Sequence, residues 1–143
     1  MRTKLLSVVA SAGLLAATAP AWAHHSFAAE FDRNKPVELK GTVTNFEWAN
    51  PHSWLHIDVK GPDGQVQHWK VEGGAPSPLL RRGWTKNTLV PGQEVVVQGF
   101  QAKDGSFRAN AQDIVFPGGK KMFFGSTRQT QEGEVPDSEG GQQ

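Results

Sequence analysis

Five histidines stand at positions 24, 25, 52, 56 and 68, and neither cysteine nor tyrosine occurs in the 143 residues. Without thiolates, any metal held by this chain must take nitrogen and oxygen ligands, and disulfide or cysteine–zinc chemistry is excluded. Imidazole suits Zn(II), Ni(II) and Cu(II), with Cu(II) favoured by the Irving–Williams order. His24 and His25 carry the sharpest chemistry. If His24 opens the processed chain, its α-amino group (pKa about 7.7) and its imidazole (about 6.5) can close a chelate ring on one ion.

The opening residues support that start. Arg2 and Lys4 precede an uncharged run from Leu5 to Ala17, followed by Thr18-Ala19-Pro20 and the small-x-small triplet Ala21-Trp22-Ala23. This is the pattern of a secretory signal peptide over residues 1–23, cut between Ala23 and His24. The apolar run is shorter than the roughly 20 residues a spanning helix needs, and no later segment is apolar enough to span. The expected product is periplasmic or secreted, with no transmembrane segment after cleavage. Removing Arg2 and Lys4 leaves 13 Lys+Arg against 14 Asp+Glu over residues 24–143, a formal charge of −1. A near-neutral domain lacks the basic stripe that phosphate binding relies on, so nucleic acid is not an expected partner.

The elements that must position the histidines are strands. Val37, Leu39, Gly41 and Val43 alternate with Glu38, Lys40, Thr42 and Thr44, a half-buried strand whose frame slips at Asn45, where a bulge is expected. Asn50-Pro51 supplies a turn. A second strand (53–60) turns Leu55, Ile57 and Val59 inward and a third (65–72) turns Trp69 and Val71 inward, joined by Gly61-Pro62-Asp63-Gly64. A common core requires Leu55 opposite Val71 and Ile57 opposite Trp69. The outward face is then set as well, with Trp54 opposite Glu72, His56 opposite Lys70 and Asp58 opposite His68.

Ser77-Pro78 to Arg82-Gly83-Trp84 predicts one short helix, with serine as the cap, Trp84 folded back on Leu79 and both arginines in solvent. Strands follow at 94–99 and 107–116, separated by the polar turn Lys103-Asp104-Gly105-Ser106, and residues 121–124 are read as a short edge. The tail (126–143) holds Glu132, Glu134, Asp137 and Glu139 against Arg128 alone and is expected to be disordered. Glu30, Asp32 and Glu38 read as solvated carboxylates. Three strands, a helix and two strands is the order of an all-β, five-stranded OB-like Greek-key barrel over residues 24–125, with a small β-sandwich as its rival. In the OB reading, residues 48–52 and 103–106 are the binding loops.

His24-His25-Ser26-Phe27, Trp48-x-Asn50-Pro51-His52, Trp69-x-Val71-Glu72-Gly73, Arg82-Gly83-Trp84 and Ala102-Lys103-Asp104-Gly105-Ser106 together resemble an uncharacterised family of secreted proteobacterial proteins, the DUF6152 type. The resemblance implies export and the extent of the domain. It implies no catalytic residue.

A chelating terminus needs further ligands from the scaffold. His52 shares parity with Trp54 and so lies diagonal to Glu72, at a Cβ separation of about 7 to 8 Å, where the two can share an ion. His52 and His56, four residues apart on a strand, lie about 13 Å apart and cannot. His56 and His68 flank Asp58 as a second candidate. Against these stand plainer readings: a solvated terminus, a turn histidine bonded to a carbonyl, and a polar face paired with Asp58 and Glu72. No Gly-x-Ser-x-Gly elbow, phosphate-cradling loop or His-Glu-x-x-His motif occurs. The leading expectation is a non-catalytic exported binder of Cu(II) or Zn(II) through His24, His25, His52 and Glu72. The alternative is a recognition module that holds a peptide, glycan or envelope protein with Asn50, Trp54, Lys103 and Asp104. A copper-dependent oxidoreductase at the same metal site is the third.

Overall fold

The computed structural model describes residues 27–126. The expected signal segment, His24, His25 and all but Ser126 of the expected tail lie outside that range. The elements in chain order are α1 (Phe27–Glu30), β1 (Phe31–Glu47), β2 (Trp54–Lys60), β3 (Val66–Glu72), α2 (Pro76–Arg81), β4 (Glu94–Ala102), β5 (Arg108–Val115) and β6 (Lys121–Phe123). The architecture is therefore all-β with two short helices.

β1 pairs antiparallel with β4 through its first two thirds and with β2 through its last third, so one long strand serves both neighbours. Its register shifts between Val43 and Asn45, where the alternation of the sequence slips. β2 and β3 pair in the register demanded by their apolar sets, from Trp54↔Glu72 to Lys60↔Val66. A parallel pairing of β3 with β5 (Lys70↔Arg108, Glu72↔Asn110) closes the sheet into a ring, and β6 adds an edge along β5. Closure removes most of the free strand edge that would otherwise invite aggregation.

The ring encloses one core. Leu55, Ile57, Val71, Val97 and Ile114 are fully buried from the strands, and Trp84 and Phe124 fill it from the α2 side. The Trp84 ring lies 4.9 Å from that of Phe124, and its indole N–H donates to the carbonyl of Phe123 at 2.9 Å, which ties the helix end to β6. Phe124 in turn presses on Gly73, where an added Cβ would fall 2.3 Å from the ring. That contact explains why the chain after Glu72 must be glycine.

Three expectations change. α2 starts two residues earlier than a Ser77 cap implied: Ala75 is the N-cap and makes no side-chain bond, with proline at the start of the helix. Pro76 and Pro78 both sit in the first turn, where backbone N–H groups have no helical partner to lose. Ser77 Oγ instead accepts from Arg81 Nη1 at 3.1 Å. Arg82 is not simply solvated, because its guanidinium lies over the Phe123 ring at 4.6 Å and donates to the Gly125 carbonyl at 3.2 Å. Its long apolar stem lets the charge lie along a hydrophobic surface. Glu30 is not a free carboxylate either, since it pairs with Arg108 at 2.8 Å. The helix does end as expected, with Gly83 at φ +87° and Trp84 N–H returning to the Leu79 carbonyl at 3.0 Å.

Candidate functional site

The site grows from the alternation of β2 and β3. With Leu55, Ile57, Trp69 and Val71 buried, Trp54, His56, Asp58, His68, Lys70 and Glu72 share the outer face. The ladder continues past the strand ends, with Ser53 N–H bonded to the Gly74 carbonyl and Gly73 N–H to the Ser53 carbonyl, both at 2.9 Å. This extra rung carries His52 back over the end of β3. His52 Nδ1 lies 3.1 Å from Glu72 Oε1 and 3.2 Å from the Gly73 carbonyl.

That geometry sets the ring's protonation pattern. A backbone carbonyl can only accept, so Nδ1 carries the hydrogen and donates into the Glu72–Gly73 pair. In the neutral ring the lone pair is then on Nε2. Glu72 is well covered, with its side chain 13% exposed. Burial pushes its carboxyl above the ordinary value, His52 opposes the rise, nearby Glu30 adds to it, and Arg108 pulls it down.

Glu30 and Arg108 belong to the same neighbourhood. The parallel β3–β5 seam puts Arg108 beside Lys70 and Asn110 beside Glu72, and Asn110 is almost completely buried. α1 packs on the β4–β5 side of this seam. Phe27 packs edge-on against Phe100 at 5.7 Å, Glu30 reaches Arg108, and the Arg108 guanidinium sits 5.8 Å from the Phe31 ring.

The remaining candidates are placed as follows. Trp54 is half-buried on the outer face with Lys70 Nζ 4.4 Å from its ring centre, so a cation already occupies one side of the indole. Asn50 is exposed and joined to Pro51 by a cis peptide. Lys103 spends both of its nitrogens on α1, donating from its backbone to the Glu30 carbonyl and from Nζ to the Ala28 carbonyl. Asp104 accepts from the Ser106 N–H and hydroxyl, which hold its carboxyl below the usual range. His56 and His68 do not share a carboxylate: His56 Nε2 meets Glu47 at 2.6 Å and His68 Nδ1 meets Asp58 at 2.6 Å. Among the described residues, no three histidine, aspartate or glutamate side chains form a group able to hold a metal. His24 and His25 lie outside those residues.

Glu47, Glu30 and Arg108 are the participants that sequence reasoning misses. Glu47 had a signal, because Phe46 and Trp48 turn inward after the bulge and leave Glu47 outward beside Trp54. Arg108 had none, since its position depends on the parallel closure.

The family of unknown function DUF6152 matches residues 10–111. The chain belongs to this family. The matched stretch contains His52, Glu72, Lys103 and Arg108, and it stops short of β6 and of Phe124. No curated protein and no solved structure shows significant similarity to the chain.

Proposed function

We propose that this DUF6152 member is an exported, non-catalytic binder of a divalent metal, Cu(II) or Zn(II), built on an OB-like barrel. The observation that carries the reading is the arrangement of His52. Metal-ligating histidines almost always donate their second ring N–H to a carboxylate or carbonyl, which fixes the tautomer and raises the basicity of the ligating nitrogen. His52 has both partners at once, and Nε2 is the nitrogen left to bind. Glu72 then serves as the group that orients the ring, with its largely covered carboxylate strengthening the ligand from behind. The amino group and imidazole of His24, with His25, supply the other nitrogens after removal of residues 1–23. Strand order β1-β2-β3-β5-β4 with the helix between β3 and β4 supports the OB-like reading.

The test compares protein beginning at His24 with the same protein carrying one glycine ahead of it, each melted with Cu(II) and with Zn(II). Metal that binds only the folded state stabilises it by about 2.7 kcal/mol at 100-fold excess over Kd. The gain is expected to fade as pH falls through about 7.7 to 6.5, where amine and imidazole take up protons. Added glycine and His52→Ala should each reduce the shift. Equal shifts with and without the glycine would remove the terminus from the site. No shift in either protein would overturn the metal reading in favour of a recognition surface around Trp54.

A further inference from the structure

Almost every titratable group on the outer face of β2 and β3 already meets a partner. His56 is bound to Glu47, His68 to Asp58 and His52 to Glu72, and across the seam with β5 Arg108 is bound to Glu30. Lys70 is the exception in the middle of the face. Among the described residues no carboxylate lies within ion-pair distance of its ammonium, which rests instead 4.4 Å from the centre of the Trp54 ring. Lys60, at the hairpin end of β2, also lacks a carboxylate partner among these residues, but it makes no such contact with a ring.

Register explains this placement. Lys70 stands opposite His56 and Trp54 opposite Glu72, so lysine and tryptophan are diagonal neighbours on adjacent strands, within reach of long side chains. On its other side Trp54 is paired with Glu47 of β1. Both flanking carboxylates are committed to histidines, and the Glu72 side chain is only 13% exposed. Lys70 therefore carries the charge on this platform that is still open to a ligand. An ammonium over a half-buried indole is held weakly, because the pull of the ring's negative face competes with hydration. Its flexible four-carbon stem lets it leave the ring without moving the backbone.

The chemistry that fits is an anion carried on a flat ring. The anion meets the ammonium, and the ring takes the place the ammonium held over the indole. A pyranose has an apolar C–H face to lie on the tryptophan and a rim of hydroxyls, which Glu47, 41% exposed and paired with Trp54 across the strands, can accept from. The neighbours of the indole are polar side chains rather than the walls of an apolar pocket, which suits a sugar better than an aromatic acid. We propose that Trp54 and Lys70 form a binding site for a uronate, a sugar ring that bears a carboxylate. The site uses no metal and no residue ahead of Phe27, so it stands or falls apart from the metal reading.

The experiment titrates tetragalacturonate into metal-depleted protein and follows the Trp54 indole N–H in proton–nitrogen correlation spectra, with Trp54→Phe used to assign the signal. Saturable movement of that signal is expected. The methyl ester of the same oligosaccharide keeps every ring and removes every charge, and its affinity is expected to be lower by about tenfold or more. The same loss is expected for the acid form with Lys70→Met, which keeps the apolar stem and removes the ammonium. Lys60→Met is the control and should leave affinity unchanged. Added salt should weaken binding, since the pair lies near water. Equal affinity for acid and ester would overturn the proposal whatever Lys70→Met does, because no charge would be read. Equal losses with Lys60→Met and Lys70→Met would overturn it too, since the attraction would then belong to the surface as a whole. Tricarballylate, which has carboxylates and no ring, would overturn the role of Trp54 if it bound as tightly as the oligosaccharide. An indole signal that does not move in millimolar tetragalacturonate would overturn the site outright and leave the metal reading standing.

Discussion

Two histidine–carboxylate pairs on the outer face of β2 and β3 use the same chemistry in different surroundings. His68 and Asp58 make the shorter contact, 2.6 Å, with side chains 79% and 37% exposed. His52 and Glu72 are 3.1 Å apart with side chains 35% and 13% exposed, and the same His52 nitrogen also reaches the Gly73 carbonyl. Water competes for an exposed pair and screens it, so such pairs contribute about 0 to 1 kcal/mol. The covered pair is set differently. Burial raises the Glu72 carboxyl, and the backbone rung between Ser53 and Gly73 extends the ladder beside it, where His52 meets it. Contact length alone favours His68, whereas the better-covered carboxylate and the second acceptor favour His52 as the ligand in the proposed reading.

The comparison depends first on register, and the largest expected effect tests it. Trp69→Ala removes a buried ring paired with Ile57 and is expected to cost about 3 to 5 kcal/mol in urea or thermal denaturation. A neutral result would mean that Trp69 does not face the core, which would put both pairs on the wrong side of the sheet. Gly73→Ala is the next largest. Its new methyl would meet the buried Phe124 ring, and forcing extra volume into a packed site costs about 1 to 3 kcal/mol. It should also move the carbonyl that His52 uses, so a variant that folds should bind metal more weakly in the same titration. Full stability with normal binding would show that Gly73 does not hold the site.

Much of this was legible in the residues. Alternation on two strands joined by a short hairpin leaves one register that buries both apolar sets, and parity alone then brings His52 toward Glu72. The slip at Asn45 also announced the irregularity in β1. Other features depend on contacts that local pattern does not encode. His56 meets Glu47 only after β1 and β2 pair across the bulge, and Glu30 meets Arg108 only after β5 closes on β3. Arg82 looks like a solvent residue by type, but its guanidinium lies over Phe123 once β6 has joined the sheet. Lys103 stood in a turn read as a binding loop, and only the folded chain reveals that it grips α1.

A smaller effect separates charge from geometry at Glu72. Glu72→Gln keeps an oxygen to accept from His52 and removes the largely covered charge. Because folding raises this carboxyl above its ordinary 4.5, the folded state prefers it protonated. Its contribution to stability is complete below that value and is lost as pH rises through the raised one. Metal-free melts of variant and wild type across that window should therefore show the difference moving in favour of Glu72→Gln as pH increases. A difference that stays flat would mean that Glu72 is solvated well enough to ionise without cost. At neutral pH the variant is also expected to bind Cu(II) more weakly, since the carboxylate behind the imidazole is gone.

The smallest expected effect concerns the other two pairs, His56–Glu47 and His68–Asp58, whose carboxylates are more exposed than Glu72, and completes the comparison. The double change His56→Ala with His68→Ala removes two imidazoles whose carboxylate contacts are both shorter than that of His52. Neither ring belongs to the core, and surface substitutions away from caps, cores and networks usually stay within about 0.5 kcal/mol. Each loss also frees a carboxylate that water can reach, because Glu47 and Asp58 are 41% and 37% exposed, so no charge is stranded in a dry site. Stability is therefore expected to change by about that amount or less, and the melting shift produced by Cu(II) or Zn(II) should match wild type. A substantial loss of that shift would move the metal to the middle of the β2–β3 face, and the difference in burial between the two kinds of pair would no longer identify the site.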